Sequence, residues 1–219
     1  MKDVRIEKKF VLGKYKENFV KNFLLLNGFI KQFPRRKISS IYLDTINFDH
    51  VKDNINGVSE RKKIRLRWYD NNKTKIYFEE KNKRNFLVWK NIKEIELSYD
   101  AENFIKKLKG YFFSKSFNFT KNFNYQFVLK VSYNREYWVS ADKNIRATVD
   151  TNINTSLLKN SGTTVNLSDT ILEFKFHPDN EKYFRNFLNK KNYKLRSQKY
   201  SKYVRSFTEL ENSGLIFLG

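Results

Sequence analysis

Three glutamate–lysine pairs recur at the same spacing: Glu7 with Lys9, Glu79 with Lys81, and Glu173 with Lys175. Each sits in an alternating apolar context. Val4, Ile6 and Phe10 surround the first, Ile76 and Phe78 the second, and Leu172, Phe174 and Phe176 the third. A period of two puts both charges on one face of a β-strand and the apolar side chains on the other. The stretch Lys63–Trp68 alternates in the same way, with Lys63, Arg65 and Arg67 opposite Ile64, Leu66 and Trp68. It is joined to Ile76–Lys81 through Asp70-Asn71-Asn72-Lys73, residues that suit a tight turn. The pair reads as a hairpin with a cationic face carrying one carboxylate. A single hairpin of this kind is ordinarily a solvated sheet face, but three copies of the pair imply several strands presenting the same groups to one place.

The polar strand faces together supply Glu7, Lys9, Lys63, Arg65, Arg67, Glu79, Lys81, Arg135, Arg146, Asp150, Glu173 and Lys175. If the strands form one antiparallel sheet that curls shut, these groups line its interior and the apolar faces pack under helices outside. About eight strands leave room for side chains or one elongated ligand. Unpaired buried charge is costly, so an interior this rich in Lys and Arg calls for a dense anion. Arg suits bidentate contact with phosphate and Lys supplies point charge. The few carboxylates then make sense as ligands of a divalent ion that bridges them to phosphate oxygens. Asp150 is expected to orient Arg146. The chemistry points to a tunnel for a chain of phosphates.

Composition narrows the alternatives. The chain has 219 residues with 40% apolar and 17% aromatic side chains, enough for one domain over residues 1–219 with a substantial core. Its formal net charge is +21, from 44 Lys+Arg against 23 Asp+Glu, which implies a polyanionic partner. There is no cysteine, which excludes disulfides, thiolate metal sites and cysteine nucleophiles. With only His50 and His177, a histidine zinc centre is disfavoured and a carboxylate-held Mn²⁺ or Mg²⁺ is favoured. The N-terminus lacks the apolar core of a signal peptide, and the longest apolar runs, around Phe23–Leu26 and Leu215–Leu218, fall far short of a bilayer span. The expectation is a cytoplasmic protein without a transmembrane segment.

The elements that must position these groups are read from periodicity. Strands are expected over residues 4–11, 38–43, 63–68, 76–81, 127–138, 145–150 and 171–176. Residues 86–89 and 93–97 form one bent strand or two short ones, with Lys90 between them. Helices are expected at 15–27, with a Phe19/Phe23/Leu26 stripe and Gly28 at its end, at 101–109 between Asp100 and Gly110, and at 180–190. Pro34 is expected to break the chain before the second strand. Residues 46–58 read as a loop or short helix, 152–169 as a loop, and the tail beyond Tyr203 as a weakly polar C-terminus.

Eight motifs also resemble, in order, the VTC domain, the polyphosphate polymerase domain of the vacuolar transporter chaperone complex. They are Arg5-Ile-Glu7-Lys-Lys9-Phe10, Ser40-Ile-Tyr42-Leu-Asp44-Thr45, Lys63-Ile-Arg65-Leu-Arg67, Glu79-Glu-Lys81, Tyr133-Asn-Arg135, Arg146-Ala-Thr148-Val-Asp150, Leu172-Glu173-Phe-Lys175 and Ser201-Lys202-Tyr203. That domain is one of the triphosphate tunnel metalloenzymes, related to CYTH proteins. The resemblance implies an α+β fold built on an antiparallel eight-stranded β-barrel, with a charged interior and helices outside. It implies ATP and inorganic polyphosphate as ligands, Mn²⁺ or Mg²⁺ as cofactor, and transfer of the γ-phosphoryl group to a growing chain with release of ADP. On it, Lys9, Arg65, Arg67 and Glu173 form the catalytic set. Lys63, Lys81, Lys90, Arg135, Arg146, Lys175, Ser201 and Lys202 bind phosphate, and Glu173 with Glu7 holds the metal. It also leaves room for association with a membrane-protein partner.

Two other readings stay open. The same tunnel could hydrolyse tripolyphosphate or nucleoside triphosphates, or the chain could bind polyphosphate or RNA without catalysis. One Glu before the first-strand lysine, rather than the alternating carboxylate run of many hydrolytic CYTH relatives, favours the polymerase. Trp68, Phe78, Phe174 and Phe176 lie opposite the charges, which argues against base stacking and sequence-specific nucleic acid.

Overall fold

The computed structural model describes residues 5–13, 16–85, 87–97, 103–113, 125–158, 163–189 and 195–218. Nine strands and five helices follow one another as β1 (Ile6–Leu12), α1 (Glu17–Leu26), β2 (Phe29–Thr45), α2 (Asp49–Ile55), β3 (Glu60–Tyr69), β4 (Asn72–Arg84), β5 (Leu87–Glu96), α3 (Phe104–Phe113), β6 (Tyr125–Ser140), β7 (Ile145–Leu157), β8 (Thr164–Leu167), β9 (Thr170–Phe176), α4 (Glu181–Asn189) and α5 (Lys202–Asn212). None of the described helices is long and apolar enough to cross a membrane.

All strand pairs are antiparallel, in the order β1-β9-β7-β6-β2-β3-β4-β5, with β8 added beside β7. The two ends of that path, β1 and β5, meet at one bridge. Arg5 and Val88 exchange backbone hydrogen bonds of 3.2 Å there. The sheet therefore curls into an eight-stranded barrel stitched by a single bridge.

The β3–β4 hairpin turns at Asp70-Asn71, and Asp70 takes a left-handed φ of 53° that Asp tolerates. The turn is tied to β2: Asp70 N–H donates to the Lys37 carbonyl at 2.7 Å, and the Asp70 carboxylate accepts from Lys37 N–H at 2.9 Å. Register sets Lys63 opposite Lys81 and Arg65 opposite Glu79, so the alternation read from sequence becomes cross-strand neighbours.

Alternation also divides the apolar residues. On β2, Ile41 and Leu43 point outward beneath Phe104, Leu108 and Phe112 of α3. On the same strand Tyr42 points inward, and Tyr203 of α5 stacks on it at 4.7 Å. Val20, Phe23 and Leu24 of α1 and Phe184 of α4 cover the outer face of β1, β7 and β9. Thus α1, α3 and α4 lie outside the barrel, whereas α5, with Tyr203, Phe207 and Leu210 beside Val51 of α2, packs on inward-facing residues and closes one end.

Several local expectations are corrected. Pro34 does not end an element. β2 runs through it, and the missing donor falls where the β2–β6 register shifts between Phe33 and Arg36. The buried stripe of α1 is Val20/Phe23/Leu24, while Phe19 and Leu26 are 49% and 73% exposed. Gly28 does close α1, at a φ of 75°. Gly110 lies inside α3 rather than after it, and Asp100 lies outside the described residues. Residues 87–96 make one strand that includes Lys90. The stretch read as a loop over 152–169 holds the end of β7 and all of β8. The tail forms α5, capped by Ser201, whose hydroxyl accepts from Val204 N–H at 3.4 Å.

Candidate active site

The barrel interior encloses a cavity of about 130 Å³. Its described lining carries ten cationic side chains: Arg5, Lys9, Lys63, Arg65, Arg67, Lys81, Lys90, Arg135, Lys175 and Lys202. Against them stand two carboxylates, Glu7 and Glu173, together with Tyr42, Tyr133, Tyr200 and Ser201. Two further carboxylates, Glu79 and Asp150, are buried behind the wall at 2% and 0% exposure. The cations outnumber all four.

Glu79 anchors one side. Its carboxylate accepts from Arg65 Nε at 2.6 Å and from Lys90 Nζ at 3.0 Å, and Arg67 Nη1 lies 3.6 Å away. Arg65 also donates to Tyr42 Oη at 3.3 Å, and Arg67 to Tyr133 Oη at 3.2 Å and Ser40 Oγ at 3.3 Å. Burial would push Glu79 up, but Arg65, Arg67 and Lys90 hold it well below the usual carboxylate range. The two guanidinium groups are thus held in fixed orientations.

Asp150 anchors the opposite side. Arg135 makes a bidentate pair with it at 2.6 and 2.7 Å, and Lys202 donates to the same carboxylate. Asp150 therefore orients Arg135 and Lys202, not Arg146. Its own carboxyl is held low by those two cations despite full burial.

Glu7 and Glu173 lie on adjacent strands, with Lys9 opposite Glu173 and Lys175 opposite Glu7. Lys81 meets Glu7 at 2.6 Å and Arg5 meets it at 3.2 Å. Lys175, Lys9 and Arg135 surround Glu173 at 3.1, 3.6 and 3.8 Å. Burial opposes ionisation of both, yet Lys81 in the first case and Lys175 in the second outweigh it, leaving Glu7 at about 2 and Glu173 well below its ordinary value. Among the described residues, no three His, Asp or Glu side chains cluster as metal ligands.

Two lysines bear the surplus charge. Lys63 donates to Ser201 Oγ at 2.6 Å and has no carboxylate at ion-pair distance among the described residues. Burial, with Lys9 and Lys81 nearby, pushes it well below the ordinary lysine range. Burial likewise pushes Lys175 down to about 8, although Glu173 pulls the other way.

Twelve of the thirteen side chains expected from sequence at the site line this one cavity; the other, Arg146, does not. Arg146 faces Lys175 across the β7–β9 register but is exposed, beyond the end of the cavity. Period-two alternation gives a residue's face, not its depth along the barrel. Tyr42 and Tyr133, read from sequence as core or rim aromatics, orient Arg65 and Arg67, and Arg5 and Tyr200 join the lining.

The model of the VTC domain matches residues 4–210. Solved structures share the fold. A candidate adenylyl cyclase from Hippeastrum, reported to have a dominant triphosphatase activity, has a TM-score of 0.56 at 13% identity, over 99% of this chain and 98% of that one. A candidate adenylate cyclase from Vibrio parahaemolyticus gives 0.55 at 13% identity, over 94% and 99%. One from Bacillus halodurans gives 0.51 at 15% identity, over 93% and 98%. No curated protein matches the sequence.

Proposed function

This chain belongs to the VTC domain family, and we propose that it is a metal-dependent polyphosphate polymerase that moves the γ-phosphoryl group of ATP onto a polyphosphate chain and releases ADP. The observation that carries this reading is the charge surplus of the enclosed cavity, ten cations against four carboxylates. Buried cations in such excess are stable only beside a dense anion, and a row of phosphates supplies negative charge at the spacing the strands supply positive charge.

Phosphoryl transfer asks a protein mainly for alignment and charge neutralisation. Arg65 and Arg67, fixed by Glu79 and the two tyrosines, grip phosphate oxygens in set directions. Arg135 and Lys202, fixed by Asp150, do the same from the far wall. Lys9, Lys63, Lys81, Lys90 and Lys175 add point charge along the chain, and Ser201 holds Lys63 in place.

A divalent ion fits the donor set. Glu7 and Glu173 are buried, ionised, on adjacent strands and face one cavity. Two carboxylates suit Mn²⁺ or Mg²⁺, with phosphate and water completing the shell. Glu173 and Glu7 would hold it; when bound, the ion neutralises charge on the phosphate oxygens.

The runner-up is hydrolysis of a triphosphate in the same cavity, supported by the triphosphatase activity of the Hippeastrum protein of like fold. The test is incubation with ATP and Mn²⁺, with and without a polyphosphate primer, beside a Glu173→Ala variant. Polymer and ADP that vanish in the variant support the polymerase; phosphate without polymer supports the hydrolase.

A further inference from the structure

A second chamber of about 260 Å³ opens off the first, sharing Glu7, Lys9, Lys63, Lys81 and Tyr200 with it. Its own walls come from β1, β3, β4, β5, α2 and the segment before α5. The charged side chains it adds are Lys8, Arg61, Lys83 and Lys199, with no carboxylate of its own among the described residues. Arg61 Nε is buried without a hydrogen-bond partner. Lys83 is pushed down by burial and by Arg61, Lys9 and Lys81, so these cations repel one another with nothing between them. The chamber's outer wall is built in place: Gln198 N–H donates to the Lys9 carbonyl at 2.8 Å, and Lys9 Nζ donates to the Tyr200 carbonyl at 2.9 Å. That wall lies along β1, one of the two strands that meet at the single Arg5–Val88 bridge.

We propose that this side chamber is a second phosphate-chain subsite, which takes the part of an inorganic polyphosphate extending beyond the phosphates held in the central cavity. The inference rests on the reading of the central cavity as a phosphate-chain site. Its four added cations continue the row set by Lys9, Lys63 and Lys81 without a break, and among its lining only Tyr200 is aromatic. A repeated anion fits such walls; a nucleoside would find no face to stack on.

The test compares metal-free binding of tripolyphosphate, of long-chain polyphosphate and of single-stranded RNA to the whole chain and to a Lys83→Gln/Lys199→Gln variant. Both positions lie outside the central cavity. The chamber predicts that the variant loses on the order of tenfold in affinity for the long chain, two charge-assisted contacts' worth, while tripolyphosphate binding stays within about twofold. The single variant Lys199→Gln, altered only on the segment outside the sheet, should show a smaller loss with the same selectivity. Equal losses for both phosphates in the single variant, no loss for the long chain, or a loss for RNA as large as for polyphosphate would each overturn the proposal. A long-chain-specific loss in a protein that makes no polymer upholds the subsite while removing the polymerase.

Discussion

The Tyr203 hydroxyl donates to the buried carboxylate of Asp44 at 2.7 Å, joining the first turn of α5 to the end of β2. Asp44 also accepts from the backbone N–H groups of Thr45, His50 and Val51 at 2.8, 2.9 and 3.2 Å, so one carboxylate ties β2, α2 and α5 together. Tyr203 meanwhile stacks on Tyr42, which receives Arg65. The helix that closes the barrel is therefore registered against the strand that helps aim an arginine, and Ser201 and Lys202 enter the cavity from that fixed point.

Tyr203→Phe should keep the stack and delete the hydrogen bond. Leaving a buried carboxylate oxygen short of a donor costs about 1–3 kcal/mol. Chemical denaturation should show that loss, and tripolyphosphate binding should weaken as Lys202 drifts. Unchanged stability would mean the hydroxyl contributes nothing to docking α5.

Glu79→Gln should be more severe. It removes the charge between Arg65, Arg67 and Lys90, and breaking a buried ionic cluster from one side costs roughly 3–5 kcal/mol. The variant's melting temperature should fall well below that of the parent, and saturating tripolyphosphate should narrow the gap by returning negative charge to the guanidinium groups. A gap that ligand leaves unchanged would place the role of Glu79 elsewhere.

Acid should act through Glu7. Its folded value, about 2, lies below its unfolded value of 4.5, so its stabilisation is complete above pH 4.5 and is lost as pH falls towards 2. The shift corresponds to about 3 kcal/mol. The stability difference between the parent and Glu7→Gln should therefore shrink as pH drops through that window. A difference independent of pH would show that the Glu7–Lys81 pair is not the source.

Ligand binding should take up protons in mild alkali. Burial leaves Lys175 at about 8 in the empty cavity, and a phosphate chain beside it favours the charged form. At about pH 8.5 the binding enthalpy of tripolyphosphate should vary with the ionisation enthalpy of the buffer, with the sign of proton uptake. An enthalpy that ignores the buffer would contradict a chain seated next to Lys175.

Much of this site was legible in the sequence because a strand writes its two faces in alternate residues. Lys63, Arg65, Arg67, Lys81 and Glu173 follow from that alone. Pairing did not, because register is a property of two strands: Asp150 could not be assigned to Arg135 until β6 met β7. Depth was equally hidden, which is why Arg146 shared the right face and missed the cavity. Helix α1 misled because its run Phe19-Val20 to Phe23-Leu24-Leu25-Leu26 offers several apolar stripes, and the sheet selects the one ending at Leu24. Helix α5 was overlooked, although Ser201 is a good cap and Tyr203, Phe207 and Leu210 recur at helical spacing; the intervening Arg205, Glu209 and Glu211 lower its mean hydropathy enough to mask the pattern.

The most direct measurement follows the γ-phosphorus. With ATP labelled at that position, Mn²⁺ and a short polyphosphate primer, the account predicts label in lengthening polyphosphate with ADP released in step. Label recovered as free phosphate, with the primer unchanged in length, would contradict it and assign the cavity to hydrolysis.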